Sequence, residues 1–139
     1  MSTILPFTGL RPHPDRAAEV VAPPYDVLSE DEARDIASAA PSSILTVTRP
    51  EVNLPRGVDP HSPEVYAAAH LALQTRIAEG CLVREASPCF YLYAQRMGEH
   101  RQTAVMALCP VSEYDQGRIK KHEFTRPDKE QDRVDHMLA

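Results

Sequence analysis

The chain has 139 residues, 42% of them hydrophobic and 25% charged, and a net charge of −5 at neutral pH. This length suits a single domain with a real core, and no stretch supplies the roughly 20 apolar residues of a membrane-spanning helix. The acidic balance argues against a surface given over to nucleic acid, which asks for a positive field.

Met1 to Leu10 has neither a basic n-region nor an apolar h-region, so no signal peptide is expected and the expected compartment is the cytoplasm. Ile4 to Leu10 reads as a short extended run. Ten of the 13 prolines fall between Pro6 and Pro63. Proline fixes φ and lacks a backbone donor, so this half is expected to be ordered but rich in turns and extended segments. Val20 to Ala22 is a second apolar run, closed by Pro23-Pro24-Tyr25-Asp26. Ser29 with Glu32 forms a capping box ahead of a helix over about residues 30–39, stopped by Pro41. The β-branched stretch Ile44-Leu45-Thr46-Val47-Thr48 predicts a strand.

Residues 49–61 read as a loop. Ser62 followed by Pro63 and Glu64 starts a second helix, with Val65, Ala68, Ala69, Ala72, Leu73 and Ile77 at helical spacing and Gly80 as its C-terminal glycine. Cys89 to Met97 and Arg101 to Val111 predict two strands joined through Gly98-Glu99-His100 as an antiparallel hairpin. Asp115-Gln116-Gly117 is a turn and Ile119 to Lys121 a short extended piece. Thr125-Arg126-Pro127-Asp128 starts a third helix, which runs to Ala139 with no terminating signal. The expected class is therefore α/β of the α+β type: an antiparallel hairpin and short strands packed with two or three helices. One domain over 1–139 is expected, the N-terminal portion of a larger protein and incomplete at its C-terminus.

Three cysteines, Cys81, Cys89 and Cys109, include no Cys-x-x-Cys pair and read as reduced thiols, not as a disulfide framework or a zinc site. The five glycines are isolated, so there is no phosphate-binding glycine loop. The chemical residues gather in 118–139. Arg118 to Arg133 carries six basic and four acidic side chains, a net of +2, which leaves −7 for the rest of the chain. A basic segment on an acidic protein draws an anionic ligand. Lys120, Lys121, Arg126, Lys129 and Arg133 are the candidate phosphate or substrate ligands. Lys129 and Arg133 are four apart on one helix face, and the helix start offers free amides to an anion. The competing reading is a solvated face with weak ion pairs such as Lys129 with Asp132. Within the segment, Glu123 beside His122 suits general-base work on a hydroxyl. The zinc-protease pattern His-Glu-x-x-His fails because Arg126 stands where the second histidine belongs. Tyr25 and Asp26 suit a pocket wall, stacking and accepting hydrogen bonds, or else a rigid turn.

Three phrases carry a resemblance: Pro6-Phe7-Thr8-Gly9-Leu10-Arg11-Pro12, Ala22-Pro23-Pro24-Tyr25-Asp26-Val27, and Lys121-His122-Glu123-Phe124-Thr125 with Lys129-Glu130 and Asp132-Arg133. Together they resemble the N-terminal third of a bacterial family catalogued as domain of unknown function 1015, whose members are longer than this chain. More distantly, the family resembles the ParB/sulfiredoxin-like fold, which includes free-serine kinases with a His-Glu phrase and a later Asp-Gly-His phrase. The resemblance implies that the complete protein is a phosphotransferase acting on a small, serine-like hydroxyl, with Glu123 as base and His122 and nearby cations holding phosphate or carboxylate, this truncated piece being expected to be inactive. ATP or ADP with Mg would be the donor, although no cofactor motif is evident. Asp-Gly-His does not occur here, so only half of that pattern is present. The alternative it implies is a ParB-like nucleotide- or nucleic-acid-binding regulatory module without catalysis.

Overall fold

The computed structural model describes residues 2–120 and 126–138. The chain forms two compact units, one from Met1–Leu10 with Arg84–Phe124 and the other from Arg11–Val83 with Thr125–Ala139.

The second unit is mainly helical. Its helices are α1 (Ala17–Val20), α2 (Glu30–Ala39), α3 (Leu45–Thr48), α4 (Pro63–Ala78) and α6 (Pro127–Leu138). Helix α2 starts where its capping box lies: Ser29 Oγ accepts from the Glu32 amide, and Glu32 Oε2 accepts from the Ser29 amide at 2.9 Å. Two of the orphan amides of the first turn are thereby satisfied. From the same helix, Arg34 donates to the carbonyls of Glu51, Val52 and Leu54. Those bonds tie down a 3-10 turn over Pro50–Asn53.

Residues 44–48 depart from expectation, for α3 is one helical turn and not a strand. Here the threonines are not confined to a pleat. Thr46 Oγ1 donates to the Ser43 carbonyl at 2.8 Å and Thr48 Oγ1 to the Ile44 carbonyl at 3.2 Å, the back-bonding that lets threonine sit in a helix. Ser43, Leu45 and Thr46 are all buried, and adjacent buried residues fit a helix corner, whereas a half-buried strand alternates. Packing overrides local preference, as is usual for a β-branched run this short.

Helix α4 buries Val65, Ala69 and Ala72, an i, i+4, i+7 stripe facing the core. Ser62 precedes it, but the hydroxyl makes no capping bond; Oγ is buried without a protein partner. The other end closes as a Schellman motif, with the Cys81 amide on the Arg76 carbonyl and the Gly80 amide on that of Ile77. Gly80 takes φ +68°, which costs glycine nothing and other residues about 1 kcal/mol or more. Every buried apolar side chain described, from Val20 to Leu82, belongs to this unit.

Strands β1 (Leu10–Pro12) and β2 (Leu82–Arg84) pair. Flanking hydrogen bonds from His13 to Cys81 and from Glu85 to Gly9 make the pair antiparallel. The first unit contains the hairpin β3 (Tyr91–Met97) and β4 (His100–Met106), in register from Tyr91↔Met106 to Met97↔His100. The loop is the two residues Gly98-Glu99, and Gly98 at φ +59° supplies the positive φ that a tight hairpin turn asks of its first position. The N-terminal run bridges to Leu108 through Leu5 and to Cys89 through Phe7. The strand expected to reach Val111 stops at Met106, and helix α5 (Val111–Asp115) begins at that expected last residue. Its Glu113 accepts from the Thr3 amide at 2.9 Å and is the one buried side chain described in this unit.

The Phe7-Thr8-Gly9 phrase has a packing explanation. The Gly9 amide donates to Tyr91 Oη at 2.6 Å, and Tyr91 in turn donates to the Phe7 carbonyl. A Cβ on Gly9 would stand 2.6 Å from that oxygen. The Phe7 and Tyr91 rings lie 4.8 Å apart, so a bare backbone is what lets the tyrosine close over the segment. The mixed architecture read from the sequence, an antiparallel hairpin and short strands with two or three helices, is observed: among the described residues three helices reach ten residues or more, and three further ones are single turns. Cys81, Cys89 and Cys109 are free thiols.

Candidate functional site

The second unit contains a cleft of about 590 Å³. Its walls come from a 3-10 turn at Tyr25–Val27, the residues after α3, the loop before α4, the first turn of α4, and one face of α6. Helix α6 starts with Pro127 at its first position, where the missing amide hydrogen is no loss. Lys129, Asp132, Arg133 and His136 then recur at i, i+3, i+4 and i+7, and all four line the cleft. The stripe that would be apolar in a core helix is here titratable.

Arg49 organises the opposite wall. Its Nε pairs with Glu51, and its Nη1 donates at 3.0 Å to the carbonyls of both Tyr25 and Leu28. The turn carrying Tyr25 is therefore held from beneath. Above the Tyr25 ring lies the Arg133 guanidinium, 4.5 Å from the centroid, within the range of a cation–π contact.

Asp132 anchors α6 to α4. Its Oδ1 accepts from Tyr66 Oη and faces His61 Nδ1, each at 3.0 Å. Burial pushes this carboxyl up, but the hydrogen bonds from His61 and Tyr66 outweigh it and hold the group below the usual carboxylate range. The Tyr66 phenol moves the other way, raised by burial and then by the neighbouring carboxylate.

Pairing decides the electrostatics. Four cations (Arg49, Arg126, Lys129, Arg133) and four carboxylates (Asp26, Glu30, Glu51, Asp132) line the cleft. Glu51 is neutralised by Arg49, Glu30 by Arg34, and Asp132 is bound by Tyr66 and His61. Arg126 forms a bidentate contact with Asp128, whose carboxyl it lowers. Among the described residues no hydrogen bond or ion pair holds the Lys129 ammonium or the Asp26 carboxylate. Arg133 lies 3.9 Å from Asp132 Oδ2, so of the three cations on or just before α6, Arg126 and Arg133 have carboxylate partners and, among the described residues, Lys129 has none.

Of the residues read from the sequence as ligands, Tyr25, Asp26, Arg126, Lys129 and Arg133 come together in this cleft. Lys120 is exposed and belongs to the other unit. Lys121, His122 and Glu123 lie outside the described residues, as does the expected cap Thr125. The sequence reading passed over Arg49, Glu51, His61, Tyr66 and His136, and took Asp132 only as an ion-pair partner of Lys129. Helical periodicity could have found Asp132 and His136; the others come from distant segments with no local signature.

The family model for DUF1015, described as a protein of unknown function, matches residues 4–139. The chain belongs to the DUF1015 family. No curated protein and no solved structure matches it. In this DUF1015 chain, no helix among the described residues is long and apolar enough to cross a membrane. Nor does any group of three His, Cys, Asp or Glu among them form a metal-binding cluster.

Proposed function

We propose that the cleft binds a small anionic, phosphate-bearing molecule and that the protein is a cytoplasmic phosphotransferase acting on a small hydroxylated metabolite. The observation that carries this reading is the convergence of Arg126, Lys129 and Arg133 on one cleft, three of whose four carboxylates already have partners. A phosphate there meets cations and the positive end of a helix dipole. Phosphoryl transfer asks mainly for positioning and charge neutralisation, and these residues supply both.

In this reading ATP or ADP is the donor. Glu123, three residues before Arg126 in the chain, takes the proton from the acceptor hydroxyl as that oxygen bonds to the terminal phosphorus and the nucleotide leaves. The likeness of the Lys121-His122-Glu123 phrase to free-serine kinases of the ParB/sulfiredoxin-like fold motivates the assignment. Mg²⁺ commonly stays on the phosphates with several waters and one or two carboxylates. Asp26 is the cleft carboxylate left to reach such an ion.

Calorimetric titration of the full chain with ATP, ADP and inorganic phosphate tests the binding. Lys129→Ala and Arg133→Ala should each weaken it roughly tenfold or more, since charge-assisted bonds contribute about 1.5–3 kcal/mol. Glu123→Gln should bind normally but transfer no phosphate to serine. Unchanged affinity in the Lys129→Ala, Arg133→Ala double variant overturns the cleft assignment. Salt-sensitive retention of a DNA duplex that survives Glu123→Gln would instead support the regulatory, nucleic-acid-binding alternative.

A further inference from the structure

We infer that Asp132 holds His61 in the tautomer whose Nε2 is a hydrogen-bond acceptor, and that the cleft therefore selects ligands carrying a hydroxyl beside their anionic group. This narrows the substrate class of the proposed function and rests on that reading of the cleft.

The tautomer follows from the donor inventory. An ionised carboxylate only accepts, so the imidazole nitrogen 3.0 Å from Asp132 Oδ1 must carry the proton. Asp132 is 18% exposed while His61 is 60% exposed, so the carboxylate is the fixed partner and the ring presents its far edge to solvent. The fixing is reinforced from two sides. Tyr66 Oη, from the first turn of α4, donates to the same Oδ1. The backbone at His61 is set by an Asx turn, its amide donating to Asp59 Oδ1 at 3.0 Å, and the Ser62 amide donates to the Asp59 carbonyl. A neutral imidazole with a protonated Nδ1 has one lone pair left, on Nε2.

That lone pair is unusual in its surroundings. Arg126, Lys129 and Arg133 can only donate. They recognise an anion but give nothing to a hydroxyl proton. Asp26 and His136 are the other cleft acceptors with no hydrogen bond among the described residues; Asp26 carries a full charge that repels an anionic ligand, and no described carboxylate fixes the tautomer of His136. His61 offers acceptance without that repulsion. An anionic molecule bearing a hydroxyl satisfies cations and imidazole together; an anion without one leaves Nε2 to water.

Two measurements on the full chain test this. In nitrogen-detected imidazole NMR, above the usual histidine titration range, the signal assigned to His61 by its loss in His61→Phe should show the Nδ1–H pattern. Asp132→Ala should return it to the Nε2–H form that free imidazole prefers. In calorimetry, glycerol phosphate should bind about tenfold tighter than propyl phosphate, the size of one net hydrogen bond. That ratio should fall to about one in His61→Phe while inorganic phosphate still binds. An Nε2–H ring in the unaltered protein, or equal affinity for the two esters while inorganic phosphate still binds, overturns this inference and leaves the anion site standing. Failure of all three phosphates to bind overturns both.

Discussion

Replacing Leu45 by Ala tests the least expected element, because that side chain is fully buried in a turn of helix that local preference assigns to a strand. The substitution removes three carbon groups from the core, about 2.4 kcal/mol at ~0.8 kcal/mol for each buried methylene. A residual cavity adds to this, and measured Leu→Ala losses run from about 2.7 to 5 kcal/mol. A short turn bounded by Pro41 and Pro50 has limited room to collapse inward, so we expect a loss of about 3–4 kcal/mol, within the measured series. Urea unfolding followed by helical circular dichroism reads the change directly. Leu71→Ala, on an outward face at 68% exposure, should cost less than about 0.5 kcal/mol beside it. The neighbouring change Thr46→Val should also destabilise, by about 1 kcal/mol, through loss of the donor to Ser43. Sensitivity at both 45 and 46 is the signature of a helix corner. A cost under about 1 kcal/mol at Leu45, or sensitivity alternating between 44, 46 and 48 with 45 tolerant, would refute the packing described here.

Gly9→Ala places a Cβ 2.6 Å from Tyr91 Oη; amide hydrogen exchange should quicken at Gly9 and along β3 while α4 is unaffected, and unchanged protection in β3 would contradict the close approach. Gly80→Ala must take φ +68° with no steric obstacle around it, so a loss of about 1–2 kcal/mol from backbone strain alone is expected in urea unfolding. Asp132 has a folded-state value held below the ordinary carboxylate range. Its contribution is therefore full above the unfolded carboxyl value and is lost as pH falls through the lower folded value. Acid titration of the thermal midpoint should show a steeper decline in the unaltered chain than in Asp132→Asn, and parallel curves would remove the role given to His61 and Tyr66.

Helices α2 and α4 were legible residue by residue. Their start and stop signals, the Ser29 to Glu32 capping box, Pro63 at the first position and Gly80 at the end, act within a few residues and need no knowledge of the rest of the chain. The Gly98 turn and the start of α6 at Pro127 belong with them. Along α6, the stripe of Lys129, Asp132, Arg133 and His136 is implicit in the 3.6-residue period, though charge alone drew attention to only two of its members. What local rules could not supply is which surface that stripe meets. Asp132 acquires its meaning from Tyr66 and His61, 66 and 71 residues away. Tyr25 acquires its own from Arg49 below and Arg133 above. Residues 44–48 mark the same boundary from the other direction. Their β-branched composition speaks for a pleated surface, yet no strand among the described residues pairs with them, and burial of Ser43, Leu45 and Thr46 selects a helical turn. Sequence alone determined the elements whose energetics are local, since caps, turns and proline act within one turn of backbone. The cleft and the turn at α3 were decided by tertiary structure, because their stabilising contacts join segments that only the folded chain brings together.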